Sequence, residues 1–162
     1  MGGADAAATV GAYRFAQVWV HGVAAVRESA AAAVVVRFAG IYGPGRTRLI
    51  ERVRAHEPGG AAYTNRIHRD DCAGVLHHLL RLERPLPLYL AADSEPAKQC
   101  AVMGWMAERL GLPAPSGADA GDASLGKRCR NARLVASGYE FEYPSFREGY
   151  GAIIAAMVRR AG

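Results

Sequence analysis

Over residues 13–29 the apolar side chains Phe15, Trp19, Val23 and Val26 recur at intervals of three and four, which predicts a helix with one modest apolar face. The pattern then changes. Residues 33–38 (AVVVRF) are β-branched and apolar at nearly every position, as expected of a strand buried between helix layers. The turn YGPG at 42–45 ends it. Residues 46–55 follow as a helix with Leu49, Ile50 and Val53 on one face and Arg48, Glu51, Arg52 and Arg54 toward water.

Residues 63–68 (YTNRIH) form a short extended piece, after which Asp70 is a natural N-cap and Asp71 is favourable beside the positive end of the helix dipole. The helix so begun is predicted over 71–82. Its buried stripe is Cys72, Val75, Leu76, Leu79 and Leu80. Residues 86–91 (LPLYLA) are the next strand, with Pro87 near its start. Ser94 or Glu95 then caps a helix with Pro96 at its first position, Val102, Trp105, Met106 and Leu110 on its apolar face, and Gly111 at its end. Residues 113–126 lack any apolar period and predict a mobile loop, while Asn131 can cap a short helix through Ser137, with Gly138 as its stop. A last helix runs from about Phe146 to Arg159. Residues 1–12, rich in Gly and Ala, are expected to be disordered, because small side chains bury too little to offset ordering.

This alternation of helices and strands predicts one α/β domain over 13–162 with a largely parallel sheet. Two solid strands are too few for a complete doubly wound sheet. A chain of 162 residues with 51% hydrophobic residues is long and apolar enough for a single core. No run of residues has the length of a membrane span, and residues 1–12 lack the pattern of a secretion signal, so a cytoplasmic protein is expected. Cys72, Cys100 and Cys129 are far apart and never in a C-x-x-C pair, which argues for reduced, mostly buried thiols and against a disulfide framework or metal site. The net charge of +5 comes from arginines scattered among Asp and Glu, not gathered in a stripe, so no nucleic-acid partner is expected. The tightest basic cluster of the second half is Lys127, Arg128 and Arg130, suited to an anionic group or to a solvated loop end. Adjacent on a helix, His77 and His78 point about 100° apart and cannot chelate one metal readily.

Four segments together resemble the C-terminal half of the extended short-chain dehydrogenase/reductase family, the NAD-dependent epimerase/dehydratase group: VVVRFAGIYGPGR (34–46), RIHRDDCAGVLHHLL (66–80), LYLAADSEPAKQCAVMGWMAERLGLP (88–113) and KRCRNARLVASGYEFEYPSFREGY (127–150). The likeness is strongest to an atypical branch of that family. It implies a partial Rossmann-like, doubly wound fold: the substrate-side half, with few parallel strands and flanking helices. It also implies that Gly40, Tyr42, Gly43 and Pro44 lie against the cofactor, NAD or NADP, while Arg46, Asn65, His68 and Arg128 face the substrate, a nucleotide sugar or similar small molecule. For Asp70 and Asp71 helix capping is the stronger expectation.

Two expected parts are missing from the sequence. There is no G-x-G-x-x-G or G-x-x-G-x-x-G to cradle a pyrophosphate at a strand-to-helix turn. The family's Y-x-x-x-K has one counterpart in the right place, Tyr13, and Gln17 stands where Lys is needed; a neutral amide cannot depress the phenol's pKa as a positive charge does. The expectation is therefore a fragment lacking its dinucleotide-binding front half and inactive alone, completed by that half or by a homo-oligomer. A non-enzymatic ligand-binding or regulatory module that keeps the anion-binding loop, or an association-dependent structural subunit, stays open beside it.

Overall fold

The computed structural model describes residues 33–115 and 126–161. The tail predicted over 1–12, the helix predicted over 13–29, Tyr13 and Gln17 lie outside them, as does most of the loop predicted over 113–126. The chain divides into a larger unit, residues 36–85 and 89–162, and a smaller one, residues 1–35 and 86–88.

Strand β1 (Val35–Phe38) pairs with β5 (Leu88–Ala91). In the larger unit the Ala39 N–H donates to the Ala91 carbonyl at 2.9 Å, and in the smaller the Val35 N–H donates to the Pro87 carbonyl at 3.0 Å. The bonds advance in step along both strands, as in a parallel pair. β1 is half-buried, with Arg37 exposed, so burial on both faces does not hold among the described residues. The segment after it is not simply a loop. Gly40–Tyr42 forms a strand, β2, parallel to β4 (Arg66–His68) with Gly40 opposite Arg66, Ile41 opposite Ile67 and Tyr42 opposite His68. Glycine at 40 eases this pairing, since a Cβ there would lie 3.1 Å from the Asn65 carbonyl oxygen and would require the neighbouring strand to give by a few tenths of an ångström.

Helix α1 is Arg48–Arg54, shorter than predicted, because the Arg46 N–H is spent on the Gly43 carbonyl inside the turn. β3 (Tyr63–Thr64) pairs antiparallel with β6 (Ala97–Lys98). That pairing moves the next helix, α3, to Gln99–Arg109 and removes Ser94, Glu95 and Pro96 from its start. The Gln99 and Cys100 amides donate instead to the carbonyls of Ala62 and Gly60, at 3.1 and 2.9 Å. α2 is Arg69–Leu79, and its N-cap is His68, whose Nδ1 accepts from the Asp70 N–H at 3.3 Å. Asp70 is thus displaced from the cap because β4 runs straight into the helix. The buried side of α2 is Asp71, Val75 and Leu79, whereas Leu76 and Leu80 are 47% and 86% exposed. The covered stripe is rotated from the predicted one because the polar Asp71 occupies an interior position.

α4 (Ala132–Ala136) begins after Asn131, but the Asn131 amide does not cap it and donates to the Ala92 carbonyl and Ser94 Oγ, both at 3.0 Å. α5 (Phe146–Ala161) has a reciprocal cap: Ser145 Oγ accepts from the Arg147 N–H at 3.1 Å, and the Glu148 carboxylate accepts from the Ser145 N–H at 3.0 Å. That hydrogen bonding holds the Glu148 carboxyl below its ordinary pKa. The core joins Ile50 and Val53 of α1, Val102, Met103 and Met106 of α3, and Phe146, Tyr150, Ile153 and Ile154 of α5, with Tyr42 of β2. All three cysteines are free thiols, but half-buried rather than buried. No helix among the described residues is long and apolar enough to cross a membrane.

Candidate functional site

The parallel pair β2–β4 and helix α1 border a cleft of about 650 Å³ in the larger unit. Four arginines reach it, Arg46, Arg48, Arg52 and Arg66, against one lining carboxylate, Glu57. Arg52 Nε donates to that carboxylate at 2.6 Å, which leaves the cleft an excess of positive charge.

Arg66 sets the cleft's chemistry. Alternation along β4 puts Arg66 and His68 on one side of the strand and Ile67 on the other, and all three are buried. Arg66 is 5% exposed; Nη2 donates to Thr64 Oγ1, the guanidinium lies 5.4 Å from the Phe146 ring centre, and Nη1 has no hydrogen-bond partner. Two further buried atoms are unpartnered, Tyr42 Oη and Asp93 Oδ2. A buried polar atom without a partner costs about 1–3 kcal/mol, so such a group marks where a ligand or ordered water is accommodated.

Asp93 is tied to Arg66 through the backbone, its N–H donating to the Arg66 carbonyl at 2.7 Å, and its Oδ1 accepts from the Glu95 N–H at 3.2 Å. Burial pushes its carboxyl up to about 7 against the pull of Arg66. The folded pKa lies above the unfolded one, so the stability Asp93 contributes is present at about pH 4 and lost as pH rises to about 7. Urea unfolding across this range should show that decline in the native chain and a flatter profile in Asp93→Asn; parallel profiles would refute it. Tyr42 stacks on Tyr150 with ring centres 4.2 Å apart, and burial raises both phenols, Tyr150 to about 12. Both therefore stay protonated at neutral pH, and Tyr42 is a hydrogen-bond donor rather than a base.

The residues expected at the site separate into two groups. Gly40, Tyr42, Arg46 and Asn65 line the cleft. His68 is 1% exposed and sits against Tyr143, 3.9 Å away, and Tyr42, 5.3 Å away, so it packs and caps; burial lowers its pKa and keeps it neutral. Arg128 lies over the Tyr63 ring at 4.0 Å and donates to the Tyr63 hydroxyl. Asn65 clamps the neighbouring segment, its amide donating to the Lys127 carbonyl and accepting from the Cys129 N–H, both at 2.7 Å. Gly43 is buried under the stem of Arg69, whose Nη1 donates to the Pro44 carbonyl at 2.8 Å. At Gly43 the close approach that glycine permits is thus taken by Arg69, while Gly45, at φ 78°, faces open space.

Sequence reasoning missed Arg66, Thr64 and Tyr150. The available signal was an arginine inside a strand that runs into an apolar helix, a costly place for a charge without a task. The described residues contain no glycine-rich turn for a pyrophosphate, so they do not fit a whole dinucleotide, and no step is derived through one. Among them no cluster of three His, Cys, Asp or Glu could hold a metal ion.

No family model matches the sequence. Protein YeeZ of Escherichia coli K12 is 30% identical over 112 residues, covering 68% of this chain and 40% of YeeZ. A protein of Methylobacillus flagellatus, described as an NAD-dependent epimerase/dehydratase, superimposes with a TM-score of 0.74 at 37% identity over 86% of this chain and 52% of that one. Human epimerase family protein SDR39U1, solved with NADPH, shares the fold at 22% identity and a TM-score of 0.61, over 75% of this chain and 48% of that one. The chain spans about half the length of the proteins it matches. In sequence and fold the chain is thus similar to the NAD-dependent epimerase/dehydratase and short-chain dehydrogenase/reductase proteins, and it spans a part of that fold.

Proposed function

We propose that this chain is the substrate-side portion of an NAD(P)-dependent epimerase/dehydratase-like or reductase-like protein, and that its substrate carries an anionic group, a nucleotide sugar being the first class to test. The observation that carries this reading is the buried, half-satisfied Arg66 in a cleft with three further arginines. A guanidinium with a free N–H matches a phosphate oxygen, and the arginines of the rim add field. Gly40 and Tyr42, which line the cleft, are the wall against which the nicotinamide end would lie, with Arg46 and Asn65 on the substrate side; Gly43 and Pro44, engaged by Arg69, would act from behind that wall. The bound cofactor would supply or accept the hydride; the residues described here orient the substrate and exclude water from its anionic end.

The pyrophosphate cradle would come from polypeptide beyond these residues, and in the sequence Gln17, four positions after Tyr13, offers no positive charge to activate a phenol. The isolated chain therefore binds without turning over. Thermal-shift measurements should show stabilisation by UDP-glucose, about 2.7 kcal/mol at 100 times the dissociation constant, and none by NADH. Arg66→Met should abolish the shift, and Arg46→Ala, on the exposed rim, should weaken it without unfolding the chain. NADH stabilisation as large as that of the nucleotide sugar would overturn this division of the site.

A further inference from the structure

The unpartnered atoms of the cleft wall point to a control on anion binding that rests on the reading above. Arg66 Nη1 and Asp93 Oδ2 are both buried without a partner, and the Asp93 amide bonds to the Arg66 carbonyl. Arg66 lines the cleft, whereas Asp93 is 2% exposed and is not among its lining residues. The two residues are neighbours through that backbone bond, without a direct ion pair between their side chains, so the cation that borders the cleft has a buried carboxyl nearby. We propose that Asp93 is the internal counter-ion of Arg66, and that its protonation sets how tightly the cleft holds an anionic ligand.

With Asp93 ionised, the positive field of Arg66 is partly cancelled from behind. With Asp93 protonated, the full charge of Arg66 is turned to the ligand. Conversely, an anion seated on Arg66 repels the Asp93 carboxylate and draws a proton onto it from the solvent, by linkage. Burial already holds this carboxyl near neutrality, where a small change of field shifts its occupancy. The charged and titratable groups that share its field are Arg66 from β4, Tyr42 from β2, Tyr150 and Glu148 from α5, and Glu95 on its own loop. The two phenols remain neutral in this range and Glu148 remains ionised, so Asp93 is the member of the group that changes charge.

Inorganic sulfate is the probe, because its own charge is constant between about pH 5 and pH 9. Calorimetric titration of the whole chain should give about tenfold tighter sulfate binding at about pH 6 than at about pH 8, the effect of one pKa unit of coupling. In buffers of different ionisation enthalpy the heats should report net proton uptake. Asp93→Asn should bind sulfate with an affinity that no longer varies with pH. Should that variant fail to fold, the ¹³C shift of the Asp93 carboxyl in the native chain serves instead, its midpoint moving upward as sulfate is added. Binding that is flat with pH, a slope that survives in Asp93→Asn and so belongs to an imidazole, or a midpoint unmoved by sulfate would each overturn the inference while leaving the anion site standing. No sulfate binding at any pH would remove both.

Discussion

Asp71→Ala is expected to destabilise the chain by about 3–5 kcal/mol, the cost of removing one partner from a buried, charge-assisted network. The Asp71 side chain is 1% exposed. Its Oδ1 accepts from the Tyr139 hydroxyl and the Glu142 N–H, both at 2.9 Å, and its Oδ2 from the Tyr143 N–H at 3.0 Å. Alanine leaves the Glu142 and Tyr143 N–H groups unsatisfied and the Tyr139 hydroxyl with the Asp71 backbone carbonyl alone, at 3.1 Å. Gly74 belongs to the same arrangement, since a Cβ there would stand 2.5 Å from the Tyr139 hydroxyl. Equilibrium urea unfolding of the variant decides the matter: a loss below about 1 kcal/mol would reduce Asp71 to the capping role its position suggests. Asp71→Asn keeps one acceptor oxygen and should fall between.

Gly149→Ala should cost about 3 kcal/mol, at the upper end of what overpacking a core does. The added Cβ would lie 2.0 Å from Tyr42 Oη and 2.7 Å from Cζ, and Tyr42 cannot retreat easily because it stacks on Tyr150. Tyr42→Phe alone should be neutral or slightly stabilising, since the hydroxyl it deletes is buried without a partner. In the double variant the loss should shrink but not vanish, because the ring carbons still clash. A double-mutant cycle measures this directly, and strict additivity would show that the two residues do not meet. The same displacement of Tyr42 would disturb the wall of the cleft, so sulfate affinity should drop alongside stability.

The elements with their own local signal were legible in the sequence. Helix α5 began at Phe146, where the sequence placed it, and the helices at 48–54 and 99–109 kept their apolar faces. The turn YGPG and the family motifs led to the correct fold class, an α/β arrangement with few parallel strands and flanking helices. What the sequence hid was pairing over long separations. Residues 97–98 have the look of a helix start until 63–64 are placed beside them, and 40–42 resemble a loop until 66–68 run parallel to them. The site was hidden for the same reason. Arg66 reads as an exposed polar residue of a short strand, and only the closure of β2, α1 and α5 around it makes it a buried cation. Asp71 follows the local rule for a helix start, and a loop about seventy residues further on overrides that rule.

The bonds to Asp71 divide substitution tolerance unevenly along the chain. Glu142 is exposed and takes part through its backbone N–H, so position 142 accepts almost any side chain and rejects only proline, which has no N–H to give. Position 71 is the reverse, because the carboxylate itself satisfies three donors. A deep mutational scan would therefore record one of the chain's most permissive sites and one of its least permissive sites at the two ends of a single hydrogen bond.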